Sequence, residues 1–251
     1  MYVRDIYEFL NSIAPFHTAE SWDNSGLILG SQNLKCNKIM LALDVTRSVV
    51  NEAVENNVDL IITHHPVIFS PLKTIEYNSN IARLISANIS VISTHTCFDI
   101  AQGGMNDILC DKLGLINVKT VSTDDGFSFR LGTLKNSVSA KEFARATAEA
   151  LNSKCVNCSL GEKQIKTIAV CSGAGGSFSE LVIKLGVDAF VTGELKYNNV
   201  IELYESGVSA IVAGHFETEQ IFKDELAAKL TEKFKDVTVI LAKEESYLTG
   251  V

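Results

Sequence analysis

Five histidines and a set of acidic side chains carry the chemistry available to this chain. His64 and His65 are adjacent in Asp59-Leu-Ile-Ile-Thr-His64-His65-Pro66, His95 heads His95-x-x-x-Asp99, and His215 heads His215-x-x-x-Glu219. Imidazole nitrogen and carboxylate oxygen suit zinc, manganese, iron, cobalt or nickel, and the lack of a converging thiolate argues against a structural zinc knot. A bare histidine pair also has a plain reading, one ring closing a strand and the other facing solvent. The placement of the other histidines decides between these readings.

Val58, Leu60, Ile61 and Ile62 form a continuous apolar run, the pattern of a strand buried on both faces, and Pro66 stops its pairing. His64 and His65 therefore sit at its carboxyl end, where open α/β sheets bind ligands. Ile89 to Ser93 is another apolar strand and ends before Thr94-His95, and the strand from Val208 runs into Gly-His215. Only His17 lies away from a strand tip, and it reads as a surface or loop residue.

The remaining elements follow the same plan. An amphipathic helix spans residues 2 to 13, a tight loop around Trp22-Asp23-Asn24 leads into a short strand, and Lys38 to Val45 is a buried strand. Thr46 caps a helix over about 47 to 57, another helix runs from Asn80 to Ala87, and Gly103-Gly104 precedes one reaching about Leu113. The second half repeats the pattern. Lys166 to Cys171 is a strand, a helix follows from Phe178 to Leu185, and Val187-Asp188-Ala-Phe-Val-Thr192-Gly193-Glu194 matches Val58-Asp59-Leu-Ile-Ile-Thr63-His64-His65. A helix over 198 to 205 and one from about 218 to 234 flank the His215 strand. The expected fold is α/β with mostly parallel sheets. It comprises two halves of related topology, residues 1–125 and 126–251, and the C-terminal segment is able to return to the first.

If the halves face one another, His64, His65, Asp99, His215 and Glu219 converge on one inter-domain cleft at the strand carboxyl ends. Five protein ligands exceed what one open catalytic ion takes, so two divalent ions, about 3.5–4 Å apart, fit better. His215 and Glu219 are spaced i, i+4 and share a helix face, although Glu219 also simply complements a helix N-terminus. His95 is open between a sixth ligand, a residue that orients a ligand, a proton shuttle and a hydrogen-bonded strand end.

The 251 residues, 46% of them hydrophobic, are enough for one large or two modest cored domains. A formal charge of −8, from 22 basic and 30 acidic side chains, disfavours the broad basic surface of a nucleic-acid binder. No apolar run is long enough for a bilayer and the first residues lack signal-peptide character, so a cytoplasmic protein without a membrane partner is expected. The six cysteines are scattered and read as reduced core residues. Cys155-Val-Asn-Cys158 has redox or zinc spacing, but no second pair or nearby histidine completes a tetrahedral set.

Glu-Ser-Trp22-Asp-Asn-Ser-Gly-Leu, Leu-Ala-Leu-Asp44-Val-Thr, Ile-Thr-His64-His65-Pro, His95-x-x-x-Asp99 with Gly-Gly-x-Asn106, Thr-Gly193-Glu194 and Gly-His215-x-x-Thr-Glu219 occur in that order. Together they resemble the widespread family of GTP cyclohydrolase 1 type 2 homologs, of the Nif3-like type, over about residues 20 to 225. The resemblance implies two interlinked α/β domains, a toroidal homohexamer and a dinuclear metal site on His64, His65, Asp99, His215 and Glu219. It further implies conversion of GTP to dihydroneopterin triphosphate with release of formate. In that reaction His95 or Glu194 would handle protons, and the backbone near Gly103-Gly104 or Gly173 to Gly176 would meet phosphate. The chain departs from the family at Leu195-Lys-Tyr-Asn-Asn199, where relatives often carry a histidine after the aromatic residue. A phosphoester or amide hydrolase would use the same pair of ions, and a non-enzymatic metal-binding regulator would keep them fully ligated.

Overall fold

The computed structural model describes residues 1–123, 126–159 and 161–248. Two compact units divide the chain, Met1–Gly104 with Phe222–Glu245 and Met105–Ile221 with residues 246–248. The boundary read from the sequence at 125 and 126 touches residue 125, which lies outside the described residues.

In the first unit, β1 (Gly26–Leu29), β2 (Lys38–Ala42), β3 (Leu60–Thr63), β4 (Ser90–Ser93) and the late strand β11 (Thr238–Leu241) form a sheet in the order β1-β4-β3-β2-β11. Only β1 runs antiparallel to its neighbour. Every residue of β3 and β4 is buried, as expected for strands covered on both faces. Helix Val3–Ile13 buries Val3, Ile6 and Leu10. Helix Arg47–Glu55 starts where Thr46 Oγ1 accepts the Val49 N–H at 3.3 Å, and it buries Val49, Val50 and Ala53. These join Met40, Ile61, Leu84 and Val91 in one core cluster. Each of the larger side chains among them, Val, Leu, Ile or Met, contributes about 1.5–3 kcal/mol on burial.

The register of this sheet positions the histidines. Leu60 lies opposite Ser90 and Thr63 opposite Ser93, so β3 and β4 stop together. Thr94 N–H then donates to the Thr63 carbonyl at 2.9 Å, and His64-His65 and Thr94-His95 leave the sheet at one edge. The strand read as Lys38 to Val45 ends at Ala42. Its next two N–H groups, of Leu43 and Asp44, are taken by the Glu244 carboxylate at 2.9 and 3.1 Å.

In the second unit, β5 (Ile116–Ser122), β6 (Ser128–Ser139), β7 (Asn157–Ser159), β8 (Gln164–Cys171), β9 (Ala189–Thr192) and β10 (Ser209–Val212) are ordered β5-β6-β8-β9-β10-β7. The β8, β9 and β10 strands are parallel and repeat the plan of β2, β3 and β4, while β5, β6 and β7 pair antiparallel. The sequence gives little sign of β5, which buries none of its residues. Cys171, Thr192 and Val212 stand in register, so the segments after β8, β9 and β10 emerge at one edge. Phe129, Phe178, Val182, Phe190 and Leu203 pack beneath them.

The helix expected over about 218 to 234 is two helices, His215–Glu219 and Phe222–Lys233. A single surface helix buries a stripe, whereas Thr218, Glu219, Ile221, Phe222 and Lys223 are buried almost in succession. A break lets consecutive residues face inward. Among the described residues no helix is long and apolar enough to cross a membrane.

Candidate metal centre

In the first unit the three strand-end histidines gather. One ring nitrogen from each of His64, His65 and His95 lies within 4.8 Å of the others, and the ring centroids are 5.1 to 5.4 Å apart. Each ring is anchored through Nδ1. His64 Nδ1 is 3.1 Å from the Thr94 carbonyl, His65 Nδ1 is 2.9 Å from Asp44 Oδ1, and His95 Nδ1 is 2.8 Å from Asp23 Oδ1. When Nδ1 donates to an oxygen, the Nε2 lone pair becomes the ligating one, the arrangement found behind metal-bound histidines. Asp99 sits on the short helix Thr96–Ile100 that His95 opens, and its Oδ1 is 3.5 Å from His64 Nε2. His64 is fully buried, and Asp99 is partly exposed.

Asp23 is the hub beneath His95. Its carboxylate is completely buried and accepts hydrogen bonds from Ser25 Oγ at 2.8 Å and Thr96 Oγ1 at 2.7 Å as well as from His95. Burial opposes its charge, but the hydrogen bonds from His95, Thr96 and Ser25, with the charge of His95, outweigh burial and hold the carboxyl well below the usual range. Asp44 in turn is fixed by Glu244, which takes the Asp44 N–H and pairs with Lys223 at 3.0 Å. The sequence offers the spacing of the histidines but no pointer to these carboxylates as their supports, beyond the position of Asp44 just after a strand.

In the second unit His215 and Glu219 share the helix His215–Glu219, with His215 Nε2 3.0 Å from Glu219 Oε2. His215 Nδ1 is 3.2 Å from Glu194 Oε1, which follows β9 and is 58% exposed. The i, i+4 spacing thus brings these two donors together, and Glu194 supports the ring from behind. Two glycines make room for them. Gly173, at φ +57°, passes directly against the Glu219 carboxylate, and a Cβ on Gly193 would stand 2.6 Å from the Gly173 carbonyl and 2.8 Å from His215 Cα. A histidine at 193, matching His64 in the first half, has no space.

The N–H groups of Gly173 and Gly175 are spent on Thr218 Oγ1 at 3.1 Å and Thr192 Oγ1 at 2.9 Å. A carboxylate lies against Gly173 as well, so neither of these two N–H groups is offered to a phosphate. Thiols stay out of both clusters. Burial pushes the Cys36, Cys97 and Cys110 thiols up to about 12, and Cys155 and Cys158 are exposed and free. The donors are therefore imidazole and carboxylate, a set that fits divalent transition metals.

Comparisons with known proteins find relatives over nearly the whole chain. The chain is 35% identical over 249 residues to a GTP cyclohydrolase 1 type 2 homolog of Campylobacter jejuni, covering 97% of this chain and 98% of that protein. It is 37% identical over 233 residues to a GTP cyclohydrolase 1 type 2 of Helicobacter pylori, covering 88% of each. A crystal structure of a hypothetical protein of Staphylococcus aureus superposes with a TM-score of 0.92 at 26% identity, over 100% of this chain and 99% of that one. The family model for Duf34/NIF3 (NGG1p interacting factor 3) matches residues 1–246, and the chain belongs to that family.

Proposed function

We propose that this chain binds two divalent transition-metal ions on His64, His65, Asp99, His215 and Glu219 and is a metal-dependent hydrolase, with GTP as the substrate to test first. The observation that carries the metal reading is the anchoring of His64 and His65 through Nδ1 to the Thr94 carbonyl and the Asp44 carboxylate, which sets the tautomer a metal needs. The substrate rests on the names of the Campylobacter and Helicobacter relatives. When bound, such ions lower the pKa of water toward neutrality and polarise the bond under attack.

The chain's own groups supply the rest. Asp44 orients His65, and Glu194 orients His215 while its exposure lets it exchange protons with solvent. His95, held by buried Asp23, moves a proton at Nε2. The net reaction in this reading is GTP plus water giving dihydroneopterin triphosphate and formate. The protein works in the cytoplasm as a homohexamer, the assembly implied by the resemblance.

The test is metal analysis of the purified protein paired with formate release from GTP, in the parent chain and in His65→Ala. Two ions per chain, with turnover that disappears in the variant, support the reading. Two ions without formate release overturn the substrate assignment and leave a phosphoester or amide hydrolase, or a metal-binding regulator.

A further inference from the structure

Trp22 and Phe69 present a feature that the metal chemistry does not use. Their rings are 5.7 Å apart and 25° from parallel, and each residue is 51% exposed. Both meet His95 edge-on, Trp22 at 5.8 Å and Phe69 at 5.9 Å, so the pair borders the three-histidine cluster. The pair is also held firmly. Asn24 Nδ2 donates to the Ile68 carbonyl at 2.6 Å, which ties the Trp22 segment to the Phe69 segment. Glu20 N–H donates to Thr96 Oγ1 at 2.9 Å, and Asp23 fixes the other side of Trp22 through Ser25, His95 and Thr96.

A single exposed aromatic residue needs no explanation, since much of any protein surface is apolar. Two near-parallel rings, carried on segments tied together by hydrogen bonds and touching a candidate site, are different. Their preorganisation removes the ordering cost that a flexible pair would pay on binding. Offset, near-parallel rings extend naturally by one more flat ring, since any planar heterocycle has a π-face to stack.

We propose that Trp22 and Phe69 form a stacking wall for a planar nitrogen heterocycle of about purine size, with the ring's edge turned toward His95. This deepens the hydrolase reading and rests on it for the claim that the bound ring belongs to a substrate.

Trp22 is the sole tryptophan, so fluorescence excited at the red edge, where the six tyrosines do not absorb, reports on this wall. Guanosine and inorganic triphosphate are titrated separately into the protein as purified and again after chelation. Guanosine is expected to quench Trp22 emission saturably and triphosphate to leave it unchanged. Phe69→Ala, which keeps the reporter, is expected to weaken guanosine about tenfold, Phe69→Tyr to restore it, and neither to alter metal content. Emission that ignores millimolar guanosine overturns the proposal, as does equal quenching in the parent and Phe69→Ala. Emission that changes with protein concentration and not with guanosine also overturns it, since a second copy then covers the wall. Quenching in a chain that binds no metal refutes the metal reading alone, and two bound ions without quenching refute the stacking wall alone.

Discussion

His65 Nδ1 lies 2.9 Å from Asp44 Oδ1, and the same Asp44 gives its backbone N–H to the Glu244 carboxylate at 3.1 Å. A candidate ligand is thus held by a residue that is itself held from β11's trailing segment, far along the chain. The geometry makes Asp44 the support of His65. In Asp44→Ala, metal affinity measured by chelator competition is expected to fall about 10- to 100-fold, with a smaller loss in Asp44→Asn. Unchanged affinity in the alanine variant would sink this role.

Asp23 predicts the acid limb of stability in the metal-free protein. Its folded carboxyl lies well below the ordinary value of about 4. A lowered folded pKa contributes stability that is fully present above the unfolded value and is lost as pH falls through it toward the folded one. Urea unfolding is therefore expected to weaken from about pH 5 downward, and Asp23→Asn to flatten that limb. Identical pH slopes for the two proteins would place the acid sensitivity elsewhere.

Glu244 is buried with Lys223 and accepts N–H groups from Leu43 and Asp44. Removing one partner of a buried ion pair costs about 3–5 kcal/mol, because the other charge stays desolvated. Glu244→Ala is expected to lose stability on that scale in denaturant unfolding, and Glu244→Gln less. A change under about 1 kcal/mol would mean that the pair is solvated and the clamp ineffective.

Cys155 and Cys158 test the negative side of the site assignment. Both thiols are exposed, and neither belongs to a histidine or carboxylate cluster among the described residues. The double serine variant is expected to keep the parent's metal content and melting temperature. Loss of an ion in elemental analysis would return the C-x-x-C pair to consideration.

What the sequence determined by itself was local. Continuous apolar runs marked β3, β4, β9 and β10 because strands covered on both faces tolerate no polar alternation, and Pro66 and Gly214 marked where they stop. Histidines at the ends of such strands were therefore legible as a candidate site. The repeat of Thr63-His64-His65 as Thr192-Gly193-Glu194 was legible too, while the reason for Gly193 was not. It lies in a carbonyl and a Cα that the fold brings within 3 Å of where a side chain would begin.

The tertiary structure alone decided the supports. Asp23 reaches His95 across 72 positions and Glu244 reaches Leu43 across 201, and no periodicity links residues so distant. It also decided that β11 joins the first sheet beside β2, and that β5 and β6 pair although β5 buries nothing. Local pattern reports which residues avoid water. It does not report which polar partner satisfies a buried donor or acceptor, because that partner is chosen by the packing of segments remote in the chain.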